Sequence, residues 1–183
     1  KTFEDYKNMF KSKYRVKANK ADSSSSDLDV RLFTAHDFET YKNELQALYQ
    51  NTIANANFNA EVLNLNTYIH LRAKFKDDFI VKAYFLEDKL VGFLTALVNK
   101  NVLDAHFIGL DYQLNKSHAI YPRILNDYVR LGIEKQVSSI NLGRTASEIK
   151  TTIGAKPLEL SCYIKHKNPL LNSLIKPFFR RIK

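Results

Sequence analysis

The chain has 183 residues, of which 45% are apolar, 26% charged and 12% aromatic, with five Gly, four Pro, one Cys and no Trp. That length suits one domain with a real core, and the composition excludes disordered, collagenous and low-complexity classes. The net charge of +9 sits at the ends: residues 1–20 carry seven basic and two acidic side chains, residues 165–183 carry six basic and none acidic, and the body between them is nearly neutral.

Basic ends raise the local concentration of anionic partners (nucleic acid, a phospholipid surface, a phosphate-bearing substrate), or they simply keep a protein soluble. No run of roughly 18 residues is apolar without charge, so no transmembrane segment is expected. The opening Lys1-Thr2-Phe3 is no secretory signal and reads as the start of a piece of something longer. A single Cys excludes a disulfide framework and a Cys-based metal site, and a reduced, cytoplasmic setting is expected.

In chain order, Phe3, Tyr6, Phe10 and Tyr14 recur at spacings of three and four and predict one basic amphipathic helix. Ser23–Ser26, between Asp22 and Asp27, reads as a short flexible linker, so residues 1–27 are expected as an appendage to a domain over 28–183. Leu28–Thr34 alternates as a strand. Phe38, Tyr41, Leu45, Leu48 and Thr52 predict a helix over 36–53. An Asn-rich interruption at 55–59 leads to a second helix carrying Val62, Leu65, Ile69 and Ala73.

The period then changes. Phe79–Leu86, Leu90–Val98 and Val102–Asp111 are β-rich runs joined by the polar turns Glu87-Asp88-Lys89 and Asn99-Lys100-Asn101, which predicts an antiparallel meander. Leu90–Val98 is apolar on both faces and is expected at the centre of the sheet, covered on both sides. After a turn at Asn115-Lys116-Ser117, a helix is predicted over 118–135, then a short strand at Ser138–Leu142. A helix over Thr145–Ile153, closed by Gly154, precedes an alternating strand at Leu158–Lys165. Leu170–Ile182 reads as helical with a break at Pro177. Its apolar stripe, which includes Leu174, Ile175, Phe178 and Phe179, suits covering the sheet, docking onto a missing half of the protein, or lying on an anionic membrane.

From residue 28 this order of strand, two helices, three antiparallel strands, helix, strand, helix and strand resembles the GNAT (Gcn5-related N-acyltransferase) fold, an α/β (α+β) fold with a mixed, mostly antiparallel sheet flanked by helices. Shorter motifs are similar to the second, C-terminal lobe of Fem-type peptidyltransferases and related acyltransferases. They are Tyr6 with Ser12-Lys13-Tyr14-Arg15, Gly109-Leu110-Asp111-Tyr112, and the run Leu142–Ala155, in which Ile149-Lys150-Thr151-Thr152-Ile153-Gly154 resembles F-K-x-x-F-G. The resemblance implies acyl or aminoacyl transfer to an acceptor amine, without a metal or a tightly bound cofactor. It also implies a missing N-terminal GNAT-like lobe as partner and an isolated chain that transfers nothing by itself. The acyl carrier would lie where the strands at 102–111 and 138–142 splay apart. The segment Gln113–His118 lacks the glycines of a pyrophosphate loop. Acyl-carrier protein or aminoacyl-tRNA, the one form in which nucleic acid enters, therefore stands beside acyl-CoA as a candidate carrier. A non-catalytic lobe binding an anionic, phosphate-bearing partner is the alternative.

Several side chains are candidates for the chemistry. Thr145-Ala146-Ser147-Glu148 fits a capping box preceded by Arg144, and a guanidinium at a helix start favours phosphate or carboxylate, though a plain cap beside a surface Arg reads the same way. Lys150 matches the functional Lys that the Fem resemblance implies, with a solvated helix Lys as the plain reading. Both side chains are expected near the surface. Asp104 and His106 share a strand face with Val102 and Ile108, as a carboxylate-oriented general base or as a hydrogen-bonded core histidine. Asp111 ends the strand at the expected splay, placed to take a proton from an amine or to start a turn. Lys116 and His118 stand where the next helix begins, near a phosphate or merely in a solvated turn. Cys162 alternates with Leu160 and Ile164 as a buried small hydrophobe, and the five dispersed His residues have no metal-ligand spacing.

Overall fold

The computed structural model describes residues 2–56, 62–161 and 163–173. Its frame is a five-stranded sheet in the order β1-β2-β3-β4-β5, formed by β1 (Leu28–Leu32), β2 (Phe79–Leu86), β3 (Lys89–Asn99), β4 (Val102–Leu110) and β5 (Ser139–Asn141). The first four strands are antiparallel neighbours and β5 joins β4 in parallel. The meander forms as expected, with Glu87 and Lys100 in left-handed conformations at its two tight turns. As its two-sided apolar pattern predicts, β3 is central. Leu90 and Phe93 enter one core with Tyr49, Tyr68 and Phe79, while Val91 and Leu94 enter the opposite core with Ile120, Ile124 and Tyr128.

Helices α3 (Ala35–Thr40), α4 (Lys42–Ala54) and α5 (Asn66–Phe75) cover the first face. The helix expected over 36–53 is thus two, divided at Tyr41. The first starts on a capping box in which Thr34 Oγ1 accepts from Asp37 N and Asp37 accepts from Thr34 N. Helices α6 (Tyr112–His118) and α7 (Ile120–Glu134) follow β4, so the turn expected at 115–117 is helical. The 15-residue α7 covers the second face, and its Pro122 is tolerated because first-turn N–H groups have no helical partner.

The N-terminal helix is also two, α1 (Phe3–Asn8) and α2 (Ser12–Ser24). The expected linker is a correction: Ser23 and Ser24 end α2, and Ser25 is fully buried. Ser23 and Ser26 donate to carbonyls three residues back, so the serine run closes the helix instead of loosening the chain. Residues 1–27 are therefore no appendage where described. Arg130 donates to Asp22, Asn126 to Ala18 O and Asp22, and Arg123 to Ser25, tying α2 along α7.

Helix α8 (Ser147–Thr151) completes this side through Ile153, which packs with Phe3, Tyr6 and Phe10 while Tyr6 Oη donates to Ile153 O. Among the described residues of 158–165 the alternation makes no strand. Leu158, Leu160, Tyr163 and Ile164 stand exposed, since no described strand offers that segment a ladder. Cys162 and the stripe from Leu174 onward lie outside the described residues.

Candidate active site

The short β5 pairs only with the start of β4, where Val102, Leu103 and Asp104 meet Ser139, Ile140 and Asn141. Gly143, at φ +75°, then turns the chain off β5, with its N–H donating to Asn141 Oδ1. Strand β4 runs on to Leu110 with no strand partner on that side among the described residues, and the result is a fork. Its closed end is locked by Asn141 Nδ2 donating to Asp104 Oδ1 at 3.1 Å. Backbone groups along an unpaired strand edge are donors and acceptors available to an extended ligand.

The β3–β4 register shifts between Leu94 and Ala96, so His106 and Phe107 together face Thr95. The fully buried Thr95 repairs the break: its hydroxyl donates to Phe107 O and accepts from Phe107 N, both at 2.8 Å. This bulge re-aims the strand. Ile108 packs on the α7 face, so it does not share the side of Asp104 and His106 as simple alternation predicts.

His106 keeps an exposed edge while its ring lies 4.5 Å from Phe107 and 6.1 Å from Tyr68 between centroids. That crowding of protein atoms pushes its pKa below the usual imidazole value, with Asp104 opposing more weakly, which favours the neutral ring that can accept a proton. Beneath it Tyr68 is fully buried, and its hydroxyl has no hydrogen-bond partner among the described residues. Thr95, Tyr68 and Asn141 carry no motif. A register shift is the only signal that could have singled out Thr95, and alternation does not reveal one.

The other predicted residues fare differently. Asp111 caps α6, accepting from Gln113 N and Leu114 N, and pairs with Lys89 Nζ at 2.9 Å. Burial would raise its pKa, but the Lys89 ammonium and those N–H groups outweigh it and hold the carboxyl below its ordinary range. A base so satisfied is poorly placed to take a proton. Lys150 is buried, not superficial: its Nζ donates to Leu142 O at 2.5 Å, and burial lowers its pKa. The capping box is not formed, because left-handed Ala146 begins α8 without a side-chain cap. Arg144, Thr145 and Ser147 are all exposed. Lys150 is thus bonded to a carbonyl while Arg144 is solvated. His118 Nδ1 sits 2.9 Å from Asp27 Oδ2, and Lys116 is exposed on α6.

No protein-family profile and no curated protein matches the sequence. Solved structures do match. An aminoglycoside acetyltransferase from an uncultured soil metagenomic sample, meta-AAC0020, aligns with a TM-score of 0.55 at 15% identity, covering 78% of this chain and 98% of its own. The fold is that of the GNAT acetyltransferases. A GNAT family acetyltransferase of Staphylococcus aureus aligns with a TM-score of 0.53 at 18% identity over 76% of this chain and 98% of its own. The aminoglycoside acetyltransferase AAC(6')-Iy, solved with a bisubstrate analogue built on CoA, aligns with a TM-score of 0.53 at 10% identity over 77% and 99%. At such identities the GNAT likeness concerns architecture alone. Among the described residues no helix is long and apolar enough to cross a membrane.

Proposed function

We propose that this chain is an N-acyltransferase in which a carrier-bound acyl group lies in the β4/β5 fork and an acceptor amine is deprotonated by His106. The observation that carries this reading is an imidazole with an exposed edge held at the bulge beside a strand edge that β5 leaves unpaired, with burial pushing its pKa down. The amine nitrogen bonds to the acyl carbonyl carbon as His106 takes its proton. The carbon–carrier bond then breaks, and the leaving thiolate or alkoxide recovers a proton from the imidazolium or from water, giving an amide and free carrier. Acyl-CoA is the first carrier to test, since a structural neighbour was solved with CoA; acyl-carrier protein and aminoacyl-tRNA follow.

The second reading, a non-catalytic lobe such as half of a Fem-type protein binding an anionic partner, is favoured by one feature. The segment after β4 is helical, and its leading N–H groups are already taken by Asp111. Those donors are not free to wrap a pyrophosphate.

Amide formation from acetyl-CoA and a panel of primary amines tests the choice. His106→Gln is expected to lower kcat/KM by about 100-fold or more, a typical loss for a general base. In the wild type kcat/KM is expected to fall at low pH through a pKa below the ordinary imidazole value, because protonation removes the base. Saturable CoA binding without turnover for any amine would favour the binding lobe.

A further inference from the structure

Helix α2 has two faces of opposite character. Its inner face, with Ala18, Ala21 and Asp22, is turned to α7, where Asp22 accepts from Arg130 and Asn126. Its outer face carries Lys13, Val16, Lys17 and Lys20 at spacings of three and four, and all four are exposed. Asp22 is the one carboxylate in α2, so the outer face carries a single sign of charge. Among the described residues no ion pair engages Lys13, Lys17 or Lys20. The carboxylates nearest in the chain are occupied elsewhere: Glu4 pairs with Lys7, Asp5 caps α1 and Asp27 lies 2.9 Å from His118.

Two apolar side chains accompany these lysines. Val16, between Lys13 and Lys20, is 60% exposed, and Met9, at the turn leading into α2, is 66% exposed. Positive charge with apolar groups set into it suits an anionic lipid surface, where ammonium groups meet headgroups and short apolar chains enter the interface. Each lysine at such a surface is worth about fivefold in partitioning, so three give roughly a hundredfold. Nucleic acid fits less well. The face is a convex helix side without an exposed ring for a base to stack on, since Tyr14 is half-buried with Lys13 Nζ 4.8 Å from its ring centre. The bonds from Arg130 and Asn126 already fix α2, so presenting this face to a membrane carries little ordering cost.

We propose that the outer face of α2 lies on an anionic phospholipid bilayer, with Lys13, Lys17 and Lys20 on the headgroup phosphates and Val16 entering the interface. No residue of the fork takes part, so this contact stands or falls apart from the acyltransferase reading.

Cosedimentation with vesicles of mixed phosphatidylglycerol and phosphatidylcholine tests the contact, with pure phosphatidylcholine as control. Binding to the mixed vesicles is expected to be at least tenfold tighter and to weaken as salt is raised. Lys13→Gln/Lys20→Gln is expected to weaken it more than tenfold. Lys42→Gln/Lys74→Gln removes the same charge from exposed positions on α4 and α5, across the sheet, and is expected to weaken it less than threefold. The chain has no Trp, so Val16→Trp places a single fluorophore on the face. Its emission is expected to shift to the blue with mixed vesicles, while that of Gln50→Trp on α4 stays unchanged. All substituted positions are exposed, and thermal melting checks each variant. No preference for the mixed vesicles, equal losses in the two lysine pairs, or an unshifted Val16→Trp emission would overturn the proposal. Lysine-dependent binding of polyuridylate RNA without vesicle binding would assign the face to nucleic acid and overturn it equally.

Discussion

Helices α7 and α8 bracket the same side of the molecule and are held there by opposite means. Helix α7 is anchored by charge buried and fully matched. Asp127, 1% exposed, accepts from Tyr84 Oη, Arg123 Nε and Arg130 Nη1, while Arg130 reaches on to Asp22 of α2. Helix α8 has five residues and no side-chain cap. It rests on Ile153 and on one ammonium, Lys150, bonded to the carbonyl just past β5. Breaking a matched buried charge is costly, so Asp127 fixes α7 firmly to β2 and, through Arg130, to α2. Around α8 and the fork, polar groups are left open: Arg144 is solvated and the edge of His106 is exposed. Openness of that kind suits binding, and the matched network supplies the frame that holds it in place.

The largest expected effect breaks the matched side. Asp127→Ala leaves two guanidinium groups and Tyr84 without their acceptor, and is expected to cost about 3–5 kcal/mol in urea or thermal unfolding. A loss below about 1 kcal/mol would mean that α7 is held by its apolar face alone. Next in size is Gly109→Ala. A Cβ there would sit 2.8 Å from both Leu48 C and Tyr49 N, and would also strike Phe93. Pushing α4 off β4 is expected to cost roughly 1–3 kcal/mol.

Lys150 and Arg144 sharpen the contrast within α8's own neighbourhood. Lys150→Ala removes a charge-assisted bond to Leu142 O, with an expected loss of roughly 1.5–3 kcal/mol. Arg144→Ala is expected to stay within about 0.5 kcal/mol. Equal melting shifts in the two variants would remove the distinction. The smallest effect concerns His106. Its folded pKa is depressed, so the unfolded chain binds more protons as the pH falls through the ordinary imidazole range. Stability present at about pH 7.5 is therefore lost toward about pH 5. The difference in melting temperature between those two pH values is expected to shrink in His106→Gln.

Much of the sheet was legible because runs such as Phe79–Leu86 and Leu90–Val98 carry their period locally and end at polar turns. The fork was legible only through resemblance, since the spacing of β4 and β5 says nothing about where they part. Within it, His106 stood out as a titratable group on the strand, but its expected face-mate Ile108 lies on the other side. The bulge at Thr95 displaces Ile108 by one position, and a register shift is decided between strands. Asp111 and Lys150 were singled out by residue type, and both turned out to be held by neighbours that no local pattern announces, Lys89 and Leu142 O. The serine run failed for a related reason. Its composition suits a linker, yet Arg123 and Asn126, about a hundred residues later, hold that end of α2 in place.

The sequence by itself determined which segments are strands and helices over most of the sheet, the central place of β3 and the basic character of the ends. These follow from hydrophobic period and charge, which act over a few residues. Tertiary structure alone decided that α2 lies along α7, that Lys150 is buried while Arg144 is not, and that Leu158–Lys165 finds no strand to pair with. Each of these depends on which distant groups are left to satisfy a charge, a carbonyl or a strand edge, and that is settled only when the chain is packed.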